Sequence, residues 1–316
     1  MSHEQLCKIL RTKYPIIQGG MAWVANADLA SAVSNGGGLG LIAAGSMTPD
    51  LLRAEIRRMK TMTDHTYGVN IMLMSPFADD LAEVVREEAV PIVTTGAGSP
   101  GKYIETWKRA GMVVIPVIAS VAYAKRMQNL GADAVVAEGT EAGGHIGELT
   151  TMVLIPQIAD AISIPIIAAG GIADGRGVAA AFSLGASGVQ TGTRFLASTE
   201  CAIHDNYKQM VIKARDIDTL VTGRSGGHPV RTLKNKLARR LIAMEKEGAT
   251  FEQMEEITIG SLRRAVQDGD LAEGSFMAGQ SAGLVKDLKP AGEIIREMFR
   301  EAEQLLCKPL YFGGES

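Results

Sequence analysis

The loop at residues 137–147 gathers the side chains of this sequence that are best suited to chemistry. It carries His145 among four glycines, with Glu138 and Glu141 a few residues before it. A histidine on such a loop can act as a general acid or base near neutral pH, although an ordinary surface histidine has the same sequence signature. The two glutamates could orient His145, bind a cation or simply be solvated. His228, in a basic stretch further on, is a second candidate, but an ordinary surface histidine is the favoured interpretation of it.

Glycines recur at similar places along the chain. There are 36 of them in 316 residues, and they collect just after short apolar runs, where they let the backbone approach a ligand closely. Ordinary turns are the alternative for any single pair, but they do not explain the repetition. Gly170-Gly171 and Gly192 follow the seventh and eighth runs, the usual phosphate position of a TIM barrel. The glycines at 36–40 instead precede a run, so they fail the dinucleotide-binding pattern.

The elements that must position these loops are eight β-branched runs, spaced about 25 residues apart and typical of parallel strands buried on both faces. Amphipathic stretches between them predict helices, for example at 49–62, 78–88, 121–130 and 178–184. Eight such units favour an α/β fold, the TIM (β/α)8 barrel, over a doubly wound sheet, which usually has fewer parallel strands. The runs lie at residues 15–18, 39–43, 67–71, 91–95, 113–117, 134–137, 164–168 and 188–191.

The alternation of strands and helices stops after the eighth run, and the charge changes with it. Residues 208–240 hold nine lysines and arginines against two aspartates, although the whole chain has a net charge of −3. The break predicts three parts. These are a barrel at 1–205, a small helical cap without strands at 206–268, and C-terminal helices at 269–316 that pack back on the barrel.

Composition excludes several classes of protein. The chain is 46% hydrophobic with a pI near 6.0, which argues against disorder and against a dedicated nucleic-acid binder. Its three cysteines are far apart, so neither a disulfide framework nor a thiolate zinc site is expected. The N-terminus has no apolar signal-like stretch, and no run is long enough to cross a bilayer. We therefore expect a cytoplasmic protein without a membrane or nucleic-acid partner.

Five motifs, in this order along the chain, resemble those of the nitronate monooxygenase-like flavoproteins. That family combines an FMN-binding TIM barrel with a small helical second domain. Within it, the segments 70–77, 137–139, 149–152 and 274–280 are most similar to the flavin-dependent enoyl-acyl-carrier-protein reductases. The five motifs are Gln18-Gly19-Gly20-Met21-Ala22, Gly68-Val69-Asn70, Glu141-Ala142-Gly143-Gly144-His145, Ala168-Ala169-Gly170-Gly171-Ile172 and Gln190-Thr191-Gly192-Thr193-Arg194.

The resemblance implies an active site at the C-terminal face of the barrel. FMN would take hydride from NADH or NADPH and pass it to the β-carbon of a trans-2-enoyl thioester in a ping-pong reaction. His145 would be catalytic, either polarising the thioester carbonyl or delivering a proton, and the sequence leaves both open. The residues implied in cofactor binding are Gly20, Met21, Ala22, Asn70, Glu138, Ala142, Gly143, Gly144, Gly170, Gly171, Gln190, Gly192 and Thr193.

The resemblance further implies a homodimer and stimulation by a monovalent cation (K⁺, Na⁺ or NH₄⁺), for which no residue can be assigned. It also suggests a use for the basic segment, because an acyl carrier protein is acidic. Arg231, Lys234, Arg239 and Arg240 have spacings that could share a helical face and dock it. The phosphates of NADPH, or solvent alone, are the alternatives.

Two other functions remain open. A nitronate monooxygenase would use the same barrel and histidine to oxidise alkyl nitronates with O₂. A barrel that binds a phosphorylated ligand, as a lyase, an isomerase or a sensor, would need no flavin. The methionines near the predicted loops, Met21, Met72, Met74 and Met277, would suit an adaptable apolar tunnel, although core packing explains most methionines equally well.

Overall fold

The computed structural model describes residues 2–308, and its centre is a closed barrel of eight parallel strands. Neighbours run in the order β1-β9-β8-β6-β5-β4-β3-β2. Leu39, just before β2, closes the ring against β1, because its amide donates to Ile16 and its carbonyl accepts from Gln18, both at 2.9 Å. The strands are β1 (Ile16–Gln18), β2 (Gly40–Ala43), β3 (Tyr67–Met72), β4 (Ile92–Gly96), β5 (Val113–Ile118), β6 (Val135–Glu138), β7 (Gly144–His145), β8 (Ile166–Ala169), β9 (Gly188–Thr191), β10 (Thr219–Thr222) and β11 (Val230–Leu233). Each of the eight predicted runs overlaps a barrel strand, so the TIM barrel is confirmed.

Helices follow the barrel strands with the end signals that the sequence carries. Thr48 caps α3 by accepting from the Leu51 amide, and Pro49 occupies the first turn. Gly131 and Gly185, with φ of 90° and 100°, follow α6 and α8. The helices are α1 (His3–Leu10), α2 (Ala27–Asn35), α3 (Pro49–Met62), α4 (Ala78–Glu87), α5 (Gly101–Arg109), α6 (Val121–Asn129), α7 (Thr151–Ala159), α8 (Gly175–Ser183), α9 (Thr193–Leu196), α10 (Asp205–Ile212), α11 (Lys236–Lys246), α12 (Phe251–Thr258), α13 (Ser261–Arg263) and α14 (Ala291–Leu306).

The N-terminal end of the barrel is filled. Leu6 and Leu10 of α1 are fully buried and belong to the same cluster as the inward-facing residues Ile17, Leu41 and Ile167. This plug leaves the C-terminal end as the open end, which is where TIM barrels carry their active sites.

The prediction of a cap without strands is wrong. β10 and β11 form an antiparallel hairpin, and β11 also pairs with the two residues of β7. Both hairpin strands have only four residues, and a glycine-rich turn separates them, so neither produces a recognisable alternation. Beside this sheet, Leu237, Leu241 and Met254 of α11 and α12 form a small separate core. The boundaries at residues 205 and 268 stay predictions.

The C-terminal region is only partly helical. α14 packs on α8 and α2 with Ala291, Ile295 and Met298 buried, as predicted for a helix that returns to the barrel. The preceding stretch is an irregular segment with a short 3₁₀ turn (Gln280–Leu284), because glycines at 269, 274, 279 and 283 interrupt any helix. Residues 309–316 of the predicted C-terminal part lie outside the described residues. No helix in residues 2–308 has the length and apolarity needed to cross a membrane.

Candidate active site

A cavity of about 250 Å³ opens at the C-terminal end of the barrel. All fourteen residues predicted for catalysis or cofactor binding line it, and nine of its lining residues are glycines. The predicted residues come from the ends of β1, β3, β6, β8 and β9 and from the loop that holds β7. They are Gly20, Met21, Ala22, Asn70, Glu138, Ala142, Gly143, Gly144, His145, Gly170, Gly171, Gln190, Gly192 and Thr193.

Several of these glycines have no room for a side chain, as Gly20 and Gly143 show. A Cβ on Gly20 would overlap the Asn70 side chain, whose amide nitrogen donates to Thr94 at 2.8 Å. A Cβ on Gly143 would lie 2.6 Å from the backbone of Ala278. The backbone therefore forms much of the cavity surface, as a flat ligand in close contact would require.

His145 is held by strand pairing rather than by a free loop. It lies opposite Val230 in the β7–β11 ladder, and the amide of Ile146 donates to Pro229 at 3.1 Å. Arg231 ties down the start of the same loop, since its guanidinium donates to the Thr140 carbonyl at 3.1 and 3.3 Å. The cap sheet therefore sets the position of the imidazole.

The surroundings of His145 favour its neutral form. The imidazole is exposed within the cavity, yet the walls of the barrel and the cap displace much of the water around it. This desolvation, together with the nearby His228, lowers the pKa of His145. His228 itself packs on Phe251, with 5.0 Å between ring centres, so this second candidate acts as a neighbour of the site.

The two glutamates of the loop have different roles. Glu141 accepts hydrogen bonds from the Thr151 amide at 2.9 and 3.0 Å and from its hydroxyl at 3.0 Å, so it caps α7. Glu138 ends β6, lines the cavity and has no hydrogen-bond or ion-pair partner among the described side chains. Burial raises the pKa of Glu138 to about 7. Near neutral pH it is therefore able both to donate and to accept a hydrogen bond.

Part of the wall of the barrel cavity comes from residues that the sequence analysis did not predict. Tyr207, Leu262 and Ser281 line the cavity from the region after the barrel, and no local motif marked them. The buried Tyr207 hydroxyl donates to the Met277 carbonyl at 2.6 Å. Thr193 accepts from the Gly279 amide at 2.9 Å, which closes the segment after the cap over the cavity.

The predicted docking face is wrong in its geometry. Arg231 is only 7% exposed and lies in β11, with its side chain directed at Thr140, so it cannot meet a partner protein. Lys234 follows that strand, whereas Arg239 and Arg240 are exposed on α11. Only the last two share a helix.

The cavity residues fit a flavin. The hydroxyl of Thr191 is buried in the cavity wall without a hydrogen-bond partner in residues 2–308, so a polar ligand would satisfy it. The bare glycine backbone and the uncommitted Glu138 offer further polar groups at the same surface. The described part of the chain contains no group of three or more histidine, cysteine, aspartate or glutamate side chains that could hold a metal ion.

The barrel, with a glycine-lined cavity at its C-terminal end, has the architecture of an α/β-barrel enzyme. Comparison with known proteins shows the family to which the chain belongs. The nitronate monooxygenase family model matches residues 3–90 and 80–301. A Mycobacterium tuberculosis protein, (3aS,4S,5R,7aS)-5-hydroxy-7a-methyl-1-oxo-octahydro-1H-indene-4-carboxyl-CoA dehydrogenase, is 34% identical, over 94% of this chain and 95% of its own. A probable nitronate monooxygenase of Staphylococcus saprophyticus is 33% identical, over 94% and 97%. The chain belongs to the nitronate monooxygenase family.

Among solved structures, FabK from Thermotoga maritima is similar over 96% of both chains, with a TM-score of 0.94 and 52% sequence identity. This identity is well above that of the two curated relatives. The family resemblance indicated by the motifs is therefore confirmed. The closer similarity of the chain, within that family, to flavin-dependent enoyl-acyl-carrier-protein reductases of the FabK type is confirmed as well.

Proposed function

We propose that this protein is an FMN-dependent enoyl-acyl-carrier-protein reductase that uses NADH or NADPH. The observation that carries the proposal is the position of His145, which lines both the glycine-rich barrel cavity and an adjoining cavity in the cap, whose mixed walls include a group of buried apolar side chains. A redox cofactor in the first and an acyl chain in the second would meet at this side chain. The 52% identity to FabK supports the same assignment.

In the proposed reaction the C=C bond of the enoyl thioester is reduced. The β-carbon gains a hydride, the α-carbon gains a proton, and NADH or NADPH is oxidised. When bound, FMN would relay the hydride between the two substrates, which would use the cavity in turn. The chain supplies the binding surface, with Gly20, Met21 and Ala22 after β1 lying next to Gln190 and Thr193 at and just after the end of the neighbouring strand β9.

His145 would act on the thioester. A neutral imidazole carries one N–H donor and one acceptor, so it can donate a hydrogen bond to the carbonyl or pass on a proton. The lowered pKa of His145 favours this neutral form at physiological pH. Both roles require the imidazole to stay at the mouth between the two cavities, where the β7–β11 pairing places it.

The proposal is tested by mixing the purified protein with NADH or NADPH and crotonyl-CoA. We expect a yellow protein whose nicotinamide oxidation depends on the enoyl substrate. A colourless protein after gentle purification would instead favour a barrel that binds a phosphorylated ligand. Stimulation by a monovalent cation, for which no residue was predicted, is tested by measuring activity with and without K⁺ or NH₄⁺.

Nitronate monooxygenase activity is the second candidate, favoured by the 33% identity to the staphylococcal protein. It would use the same barrel cavity and His145. Oxygen uptake with an alkyl nitronate and no nicotinamide would support it, and the absence of enoyl-dependent nicotinamide oxidation would then overturn the reductase proposal.

A further inference from the structure

A second cavity, of about 490 Å³, lies between the barrel and the cap. It adjoins the first cavity, because His145, Leu262 and Met277 line both. We name it the cap cavity. Its walls come from the cap sheet, α11, α12 and the segments around residues 262 and 276.

The cap sheet turns one face toward this space. Directly paired residues of a β-sheet project to the same side, and every second residue along a strand repeats it. Thr222, Val230 and His145 form one such row across β10, β11 and β7. Thr232 lies two residues further along β11 and is bridged to Met277. All five of these residues line the cap cavity.

The two ends of the cap cavity differ in exposure. At the rim, Trp23, Met74 and Phe251 are exposed. At the floor, Leu237, Ala238 and Leu241 of α11 and Met254 of α12 are all buried. The floor is thus a buried apolar patch, whereas exposed residues of both the barrel and the cap line other parts of the cavity.

We propose that the floor of the cap cavity receives the free end of the acyl chain, with Ala238 limiting the chain length that the enzyme accepts. This inference rests on the proposed reductase function. An enoyl thioester has one untethered end, which is apolar, while its other end must lead out to a carrier that stays in solvent. A buried apolar floor suits the untethered end. Each methylene buried there strengthens binding about fourfold.

Ala238 is the residue at the floor whose enlargement tests this most directly. It is 3% exposed, so a larger side chain must extend into the cavity or displace its neighbours. Ala243, on the same helix, is exposed and provides a matched control for adding the same atoms.

The experiment compares wild-type protein with Ala238→Leu and Ala243→Leu, using crotonyl-CoA and trans-2-dodecenoyl-CoA. We expect kcat/KM for the twelve-carbon substrate to fall about tenfold or more in Ala238→Leu, with little change for crotonyl-CoA. Ala243→Leu should behave as wild type. If kcat/KM changes for neither substrate, the inference is overturned. It is also overturned if kcat/KM falls equally for both, because that would place the pantetheine arm in the cap cavity.

A second variant and a binding measurement test the inference if Ala238→Leu does not fold or if the protein is not an enoyl reductase. If Ala238→Leu does not fold, Leu241→Ala enlarges the same floor and should shift preference toward longer chains; an unshifted preference contradicts the inference. Calorimetric binding of dodecanoyl-CoA, a saturated thioester, needs no turnover. If wild type reduces no enoyl thioester, the proposed function fails. Weaker binding of dodecanoyl-CoA by Ala238→Leu than by Ala243→Leu would still support the floor as an acyl site. Equal binding by the two variants would refute it.

Discussion

His145 lies directly opposite Val230, so the histidine of the barrel cavity is part of the cap sheet. Paired residues of antiparallel strands have Cα atoms about 4.5–5.5 Å apart. A displacement of β11 therefore moves the imidazole with it. The cap would then control both the access of the substrate and the position of the side chain that acts on it.

Replacing His145 with alanine should greatly slow reduction of the enoyl substrate and leave flavin binding intact. The side chain is exposed in the cavity, and the backbone pairing with Val230 does not depend on it. General acid catalysis contributes about 10²–10⁴-fold, so a loss of that size in kcat with crotonyl-CoA is expected. Absorbance spectra report flavin content, and anaerobic bleaching by NADH or NADPH reports the first half-reaction.

A matched control is His228→Ala, which removes the neighbouring imidazole but not the proposed catalytic group. Its loss of activity should be much smaller. Wild-type turnover by His145→Ala would remove His145 from the mechanism.

Glu138 should make the stability of the flavin-free protein fall as pH rises. Its folded-state pKa of about 7 lies above the ordinary value of 4.5, so between these two pH values the folded state binds more protons than the unfolded state. Unfolding free energy then decreases through this window. Glu138→Gln should match wild type near pH 4.5 and be more stable at pH 8, by on the order of 1–3 kcal/mol. Urea unfolding at the two pH values measures the difference, and parallel pH dependences for the two proteins would contradict it.

Arg231 should stabilise the catalytic loop rather than bind a partner. Arg231→Ala leaves the Thr140 carbonyl without its guanidinium donor and removes a side chain that is buried between sheet and loop. Loss of charged hydrogen bonds at a buried site costs about 2–3 kcal/mol. Urea unfolding should show this loss, whereas Arg239→Ala on the exposed face of α11 should change stability by less than about 0.5 kcal/mol. Equal stabilities for both variants would exclude a stabilising role for the contact between Arg231 and Thr140.

Of the four residues predicted to dock an acyl carrier protein, we retain Lys234, Arg239 and Arg240 as a proposal, because only Arg231 is buried. Reversing all three to glutamate should raise KM for an enoyl-acyl carrier protein, because steering of an acidic partner is lost. The same three changes should leave KM for crotonyl-CoA nearly unchanged, because this substrate has no carrier protein. Reversing three exposed basic residues elsewhere, Arg109 of α5 with Lys125 and Arg126 of α6, is the control for net charge. An equal effect of the first set on both substrates would exclude docking at this face.

The sequence predicts the barrel well because strands buried on both faces are mostly apolar, and glycine follows most of them at or near their C-terminal ends. The same logic places residues such as Gly20, Asn70 and Gln190 in one cavity, since parallel strands end at one face. The cap was harder. β7 has two residues and becomes a strand only by pairing with β11, which is about 85 residues away along the chain. No local pattern shows such a contact.

Thr232→Val should stabilise the protein without bound ligand. The Thr232 residue is 4% exposed, and its hydroxyl, in the cap cavity wall, has no hydrogen-bond partner in residues 2–308. Valine has the same shape and lacks the unsatisfied group, whose burial costs about 1–3 kcal/mol. Urea unfolding should show a gain of about 1 kcal/mol. Thr219→Val on β10 is the contrasting change, since it removes an acceptor for Arg231 at 3.3 Å and should lower stability. A loss of stability in Thr232→Val would mean that its hydroxyl has a partner, such as an ordered water, in the folded protein.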